Sequence, residues 1–458
     1  MNKMDIHQIN SVYFLGIGGI GMSAQARYFN HRGIRVAGYD KTSSTITSQL
    51  IEEGIDVHFT EDISLLPDPI DLVILTPAIP ATHKELILLT EKGVPILKRS
   101  EVLGLITHDL FTIAIAGTHG KTTITSMISH ILKAAGIRIT AFIGGISKNY
   151  SSNLIDDDNA SMMVVEADEF DRSFLHLEPD IAVISAMDAD HLDVYGSYDN
   201  MVSSYQTFAG HIKPGGHLVV NHSLSGFFDS GRVVTASLMD PDADVHASGF
   251  TIHHGLQQMD IHIADRSLHN LVIGIPGRFN AENATVAVAV CFLIGIEEKA
   301  IRDALLTYSG VRRRFDLRVT AGDRIYLDDY AHHPEEISAC IMAARELFPD
   351  KKLTVAFQPH LYSRTRDFAD GFAQSLAKAD EVILLDIYPA RENPIPGVNS
   401  EMLLDKIQIK EKILCSKDSL PDMILEKKPE LLLTLGAGDI ELLVEQIEEV
   451  MNQLSLKK

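Results

Sequence analysis

Cysteine is scarce in this chain. The three present, Cys291, Cys340 and Cys415, stand far apart and outside any CxxC or zinc-ligand spacing. No disulfide framework is indicated, and a reducing cytosol fits best. Long apolar runs are missing as well: none approaches the roughly 18–20 residues needed to span a membrane. Nor is there an excess of positive charge. Lys and Arg number 40 against 62 Asp and Glu, a net charge of −22. That excludes general affinity for nucleic acid or anionic membrane and leaves only local basic pockets for phosphate. Low-complexity tracts and short-period repeats are absent. The N-terminus imitates a signal peptide, with Lys3, an apolar run from Val12 to Met22 and Ala24-Gln25-Ala26. Asp5 cancels Lys3 and four glycines interrupt the run, so the segment reads as a strand followed by a glycine-rich turn.

What remains is an ordinary soluble composition, 45% hydrophobic and 22% charged over 458 residues, enough for two to four domains at about 100–200 residues each. Apolar strand-like runs alternate with helix-like segments, the pattern of α/β architecture with mostly parallel sheets. Three blocks are expected. Residues 1–106 form a Rossmann-like domain with strands at Val12–Leu15, Arg35–Asp40 and Asp71–Leu75. Residues 107–316 form a central P-loop-type domain. Its strands are Phe111–Ala116, Met162–Val165 and Ile181–Ser185, and Ile124, Met127, Ile128, Ile131, Leu132 and Ala135 mark a helix. The stretch 221–275 reads as irregular β. Residues 317–458 form a second Rossmann-like domain, with strands near 324–327, 353–357, 382–385 and 431–435 and a helical stripe from Ile337 to Phe348.

Two glycine-rich turns follow strands. Gly16-Ile17-Gly18-Gly19-Ile20-Gly21 matches a dinucleotide fingerprint, and Asp40, nineteen residues after Gly21, ends the next strand where a ribose-binding acid would sit. Such glycines let a backbone approach any diphosphate at a helix N-terminus, a UDP-sugar as well as NAD(P); a purely structural tight turn is the alternative. Gly117-Thr118-His119-Gly120-Lys121-Thr122-Thr123 looks like a phosphate loop but is too short: Ile115 stands where a Walker A loop has its first glycine. Backbone N–H groups of Gly117 to Gly120 can wrap phosphate oxygens, Lys121 can neutralise the β- and γ-phosphates, and Thr122 offers a hydroxyl to Mg²⁺.

Glu166 and His191 directly follow further strands, so three strands deliver Lys121/Thr122, Glu166 and His191 to one sheet edge. A hard cation takes carboxylate and hydroxyl oxygens, and an imidazole is a less typical ligand. By itself His191 therefore reads as a capping or hydrogen-bonding residue. The acids Asp168, Glu169, Asp171, Asp188, Asp190 and Asp193 read as a solvated rim.

The motifs GIGGIGMS (16–23), GTHGKTT (117–123), EADEFDRSFLHLEP (166–179), DADHLDVYG (188–196), PGRFNAENA (276–284), DDYAHHP (328–334), FQPHLYSRTRDF (357–368) and GAGD (436–439) occur in this order along nearly the whole chain. Together they resemble the Mur ligase family. SFLHLEP and QPHLYSRTRDF point to the branch that adds L-alanine. The short GxxGK[ST] loop is normal in that family.

The resemblance implies a reaction: ATP phosphorylates the lactyl carboxylate of UDP-N-acetylmuramic acid, and the amine of L-alanine displaces the phosphate. It implies Mg²⁺ at one or two sites, with Mn²⁺ as a substitute. Thr122 and Glu166 would bind one Mg²⁺, with His191 assisting a second. The loop 117–123 would bind ATP, joined by Asn280, Asn283, Arg314 and Asp329. Gly18, Gly19, Asp40 and Arg99 would hold the UDP-sugar. Ser173, Tyr330, His332 and Arg364 would contact the substrates, Arg364 pairing with the alanine carboxylate and His332 serving as candidate base. The partners are the two substrates alone, with no nucleic acid and no membrane insertion, for a monomer or weak homodimer.

Two departures from the family pattern stand out. Leu361 replaces an arginine found in some relatives, which leaves Arg364 or Arg366 to hold the carboxylate. Phe279 replaces a common histidine. The competing readings are a sister ligase that recycles murein tripeptide and an NAD(P)-dependent oxidoreductase using the first block.

Overall fold

The computed structural model describes residues 6–108, 110–188, 195–228, 232–253, 256–390 and 392–456. It is an α/β protein with three sheets. The chain divides into two compact units: Met1–Thr251 with Gln258–Gly274 and Ala281–Ser309, and Ile252–Gln257 with Ile275–Asn280 and Gly310–Lys458.

The first unit carries two sheets. Strands β1 (Ser11–Leu15), β2 (Arg35–Tyr39), β3 (Asp56–His58), β4 (Leu72–Leu75) and β5 (Ile96–Lys98) form a parallel sheet in the order β3-β2-β1-β4-β5. β1 is buried along its whole length, as a central parallel strand covered on both faces requires. The central sheet comprises β6 (Phe111–Ala116), β7 (Ile139–Ser147), β8 (Ser152–Asp156), β9 (Met162–Glu166), β10 (Ile181–Ile184), β11 (His217–Asn221), β12 (Val233–Ser237), β13 (Val245–His253), β14 (Leu256–Ile263) and β15 (Arg266–Ile273). Their order is β15-β14-β13-β12-β11-β10-β6-β9-β7-β8. β7 and β8 pair antiparallel. The stretch expected as irregular β is thus ordered, supplying β12 to β15 at one end of the sheet.

The two sheets share one core. Helix α1 (Ile20–His31) lies against β7 and β8, with the Tyr28 and Phe142 ring centroids 5.5 Å apart. A buried polar network fixes the same contact. Arg27, only 3% exposed, donates from Nη1 to Asn153 Oδ1 at 2.5 Å and from Nε to Glu53. Asn153 Nδ2 donates to Ser23 Oγ at 2.9 Å and to the Ile20 carbonyl. Every partner of the buried guanidinium is an oxygen, so its burial leaves no stranded charge.

The second unit carries a six-stranded sheet of β16 (Asp316–Ala321), β17 (Arg324–Asp329), β18 (Leu353–Phe357), β19 (Glu381–Leu385), β20 (Glu411–Cys415) and β21 (Leu431–Leu435), in the order β16-β17-β21-β18-β19-β20. β16 runs antiparallel to β17 and the other pairs are parallel. The three cysteines are buried and unpaired. Among the described residues, no helix is long and apolar enough to cross a membrane.

Candidate active site

The short glycine loop leaves the end of β6, which lies between β10 and β9 in the sheet. The strands carrying Ile184 and Glu166 therefore flank it, with Ala116 opposite Ile184 and Ile115 opposite Glu166. Gly117 has φ +131 and Gly120 φ +82, the latter capping helix α2 (Lys121–Ala134). Both values lie where L side chains rarely go. The loop is tied to the segment after β10. The Thr118 amide donates to the Ala186 carbonyl at 3.0 Å, the Asp188 amide to Thr118 Oγ1 at 3.1 Å, and Ser185 Oγ to the His119 carbonyl. Nothing in the sequence singled out Ser185, a common residue outside any recognised motif. Thr122 and Thr123 are buried at the start of α2. The Asn283 side chain, on the helix Arg278–Leu293, lies directly over Gly120.

Lys121 folds back over the loop. Its Nζ donates to the Gly117 carbonyl at 2.7 Å and to Glu169 Oε1 at 2.7 Å. Burial pulls the ammonium pKa down, but the carboxylates of Glu169, Glu166 and Asp168 outweigh it and leave the pKa above its usual value. The ammonium is therefore charged. Glu169 does not belong to a solvated rim, in contrast to the expectation: it is 2% exposed and ion-paired to Lys121. Its backbone carbonyl accepts the Tyr195 hydroxyl at 2.6 Å, which helps turn the chain inward at this point. Its burial is not legible in the sequence, because the acids around it share no periodicity that separates a buried carboxylate from exposed ones.

Glu166 ends β9, and its Oε2 accepts the Gly144 amide at 3.0 Å. Glu166 and Thr122 bring carboxylate and hydroxyl oxygens beside the loop, a donor set that fits a hard cation such as Mg²⁺. His191, Asp190 and Asp193 lie outside the described residues, as does the side chain of Asp171. Asp188 is exposed.

The first glycine turn joins β1 to α1. The Gly18 amide donates to Asp40 Oδ2 at 2.8 Å, and Gly19 caps the helix. Asp40 therefore braces the turn with one carboxylate oxygen, and the Thr42 amide reaches the other at 3.2 Å. Arg99 begins the helix Arg99–Thr107 and packs over Gly21. Its Nη2 donates to Asp168 Oδ2 at 3.2 Å. A direct contact thus runs from the glycine turn to the segment that holds Glu166 and Glu169. Ser173 lies in the 3-10 turn Phe170–His176 that follows, and is partly buried.

In the second unit, Asn280 Nδ2 donates to the Pro276 carbonyl at 2.6 Å. Phe279 packs edge-on against Phe315, centroids 5.3 Å apart, so the position where relatives carry histidine joins the apolar core here. Asp329, at the end of β17, is 7% exposed and accepts the Phe315 amide at 2.5 Å and the Ala331 amide at 2.6 Å. Burial pushes its carboxyl up to about 6 against the pull of Arg314 and these amides. The Arg313 and Arg314 guanidinium groups each lie 5.3 Å from the Tyr330 ring centre. Arg313 also donates to Asp328 at 3.2 Å and Glu441 at 2.9 Å.

His332 follows Tyr330 and precedes the helix Pro334–Leu347. Burial, with Arg364 and Arg314 adding to it, lowers its pKa despite the opposing Glu336 carboxylate. His360 is pushed down to about 4 by burial, His332 and Arg364. Two neutral imidazoles therefore face one arginine. Arg366 is exposed and paired to Asp367 at 2.7 Å, whereas Arg364 has no carboxylate in ion-pair range among the described residues. Of the two arginines left by the loss of the one at position 361, Arg364 is the better placed to receive a new carboxylate. Leu361 itself has φ +69, a strained value for a leucine, and its amide donates to the Tyr388 carbonyl at 2.9 Å.

Asp329 gives a pH prediction. Its folded pKa of about 6 lies above the ordinary aspartate value. As pH rises from about 4 to about 6 the unfolded chain has already lost this proton and the folded chain still holds it, so stability falls through that window and levels off above it. Asp329→Asn removes the titration. The stability difference between wild type and variant is expected to shift by about 3 kcal/mol against wild type across the window, measured by urea unfolding from pH 4 to 7. A flat difference would mean that Asp329 is ionised throughout.

Comparison with known proteins gives three matches along the chain. Family models fit residues 11–110 (Mur ligase family, catalytic domain), 115–291 (Mur ligase middle domain) and 313–438 (Mur ligase, glutamate ligase domain). A UDP-N-acetylmuramate–L-alanine ligase of Flavobacterium johnsoniae is 46% identical over 98% of this chain and 100% of its own length. Among solved structures, the UDP-N-acetylmuramate–alanine ligase of Thermotoga maritima superposes with a TM-score of 0.82 at 28% identity, covering 96% of this chain and 98% of that one. A murein peptide ligase of Psychrobacter arcticus has a similar fold, with a TM-score of 0.67 at 22% identity over 96% of this chain and 98% of its own. With a relative matched end to end at nearly half its residues, and with both glycine turns and the glutamate at the ends of the expected strands, the chain belongs to the Mur ligase family.

Proposed function

We infer that the chain is an ATP-dependent ligase joining L-alanine to the lactyl carboxylate of UDP-N-acetylmuramic acid in peptidoglycan precursor synthesis, giving ADP and phosphate. The observation that carries the reading is the pairing of a phosphate loop bearing a charged Lys121 with Glu166 on the adjacent strand, in a chain matched throughout by relatives named for this reaction. A carboxylate is a poor acyl donor at neutral pH, and phosphorylation supplies the leaving group. The protein's task is then positioning and charge stabilisation.

Under this reading residues 1–106 bind the UDP-sugar, 107–316 the ATP and 317–458 the amino acid. Gly18, Gly19 and Arg99 receive the sugar nucleotide, with Asp40 holding the turn in shape. The loop 117–123 and Asn283 receive the phosphates, and Lys121 neutralises charge on the transferred group. Asn280, Arg314 and Asp329 serve the nucleotide, Ser173 and Tyr330 the substrates. Thr122 and Glu166 hold Mg²⁺, which offsets phosphate charge when bound. His191 is assigned to a second metal on the family resemblance alone. Arg364 takes the alanine carboxylate. His332, neutral at pH 7 by its lowered pKa, is the candidate for accepting the ammonium proton. The setting proposed is the cytosol, without membrane insertion, as monomer or weak homodimer.

The test is phosphate release from ATP and Mg²⁺ with UDP-N-acetylmuramic acid and, separately, L-alanine, glycine, L-serine, D-glutamate and murein tripeptide. L-Alanine is expected to be the best acceptor. Glycine, lacking one methyl, should retain activity roughly 10–200-fold lower in kcat/KM. Release with tripeptide but not with L-alanine would move the chain to the recycling branch.

A further inference from the structure

We propose that Glu169 is a positioning residue that competes with nucleotide phosphate for Lys121, so that nucleotide binds by exchanging one anion for another at that ammonium. The proposal rests on Lys121 being the phosphate-binding lysine of the reading above. An ammonium has three protons to donate. The Gly117 carbonyl and Glu169 Oε1 take two of them, each at 2.7 Å. One remains, too few to bridge two phosphate groups while both existing contacts persist. The Gly117 carbonyl belongs to the loop backbone, so the carboxylate is the partner able to leave.

Charge points the same way. Lys121 already faces the carboxylates of Glu169, Glu166 and Asp168. A polyphosphate entering beside Glu169 adds like charge at short range in a poorly solvated place, which costs free energy unless Glu169 withdraws. The surrounding contacts confine that withdrawal to a side-chain rotation. The Glu169 carbonyl is held by the Tyr195 hydroxyl at 2.6 Å, and the neighbouring Asp168 by Arg99 at 3.2 Å and by the Phe170 amide at 3.1 Å. The backbone stays put while the carboxylate turns. Until phosphate arrives, Glu169 holds the lysine folded over the loop. Once product forms, it offers the lysine another anion and favours release of ADP.

Calorimetric titration of wild type, Glu169→Gln and Glu169→Asp with ADP, with and without Mg²⁺, tests this. Glu169→Gln keeps the shape and removes the charge, and ADP is expected to bind roughly tenfold more tightly, the factor associated with losing one charged competitor. Glu169→Asp keeps the charge but draws it back from Nζ, and should tighten binding by a smaller factor. In turnover assays, KM for ATP and kcat should both fall in Glu169→Gln, because product leaves more slowly. If Glu169→Gln does not fold, as judged by its melting curve, Glu169→Asp decides. Unchanged or weaker ADP binding in the folded variants, with wild-type binding intact, overturns the proposal and leaves the ligase reading standing. Failure of wild type to bind ADP overturns both.

Discussion

Lys121→Met is expected to lower phosphate release by at least about a thousandfold while also destabilising the fold. The two losses have separate causes. Removing a preorganised positive group aimed at developing charge typically costs a factor of about 10²–10³, and under the proposed function the same group also orients the nucleotide. The stability loss comes from Glu169, which is 2% exposed and would keep its carboxylate without the ammonium now 2.7 Å away. Breaking a buried pair from one side costs about 3–5 kcal/mol. Lys121→Met/Glu169→Gln therefore recovers most of the stability and none of the activity. Urea unfolding and phosphate release on the wild type, single and double variants separate the effects. Activity within tenfold of wild type in Lys121→Met would remove the lysine from the chemistry. Equal instability of the single and double variants would show that the stranded carboxylate was not the cause.

Gly117→Ala is expected to abolish measurable nucleotide binding, by about a hundredfold or more, and to destabilise the fold by about 3 kcal/mol or more. At φ +131 an L residue is strained before any neighbour is considered. A Cβ here would also stand 2.9 Å from the backbone nitrogens of Ser185 and Ala186 and closer still to Ser185 Oγ. Those nitrogens belong to the segment after β10 that anchors Thr118 and His119, so relief would require the loop and its anchor to part. Gly136 provides the control. It too has positive φ, +77, but a Cβ there meets open space. Gly136→Ala should cost only about 1–2 kcal/mol of stability and leave ADP affinity untouched. Equal effects of the two substitutions on affinity would mean that the shape of the loop is not what binds phosphate.

The sequence made the strands and the loop legible for a physical reason. β6, β9, β10, β18 and β21 are continuous apolar runs because both faces of a parallel sheet are covered, and Gly-Lys-Thr directly after such a run has few other uses. Glu166 could be placed because it follows its strand without a gap. Glu169 and Ser185 could not, since each depends on how an irregular segment turns after leaving its strand. Asp40 stands at the strand end where a ribose-binding acid is expected, and Asp329 is among the expected ATP contacts, but their carboxylate oxygens are engaged with backbone amides of Gly18, Thr42, Phe315 and Ala331. Phe279 shows the reverse: an unusual residue in a functional motif that the structure uses for packing.

The buried contact between Arg27 and Asn153 has a consequence for how the chain comes apart. The first sheet cannot lift from the central one without breaking the Arg27–Asn153 hydrogen bond, which leaves the guanidinium to Glu53 and Gln49, and without exposing the apolar face around Tyr28 and Phe142. The two sheets therefore form one cooperative folding block rather than beads on a string. The first sheet is therefore not a portable module, and a fragment ending near residue 106 is expected to present the apolar flank of α1 to solvent and aggregate.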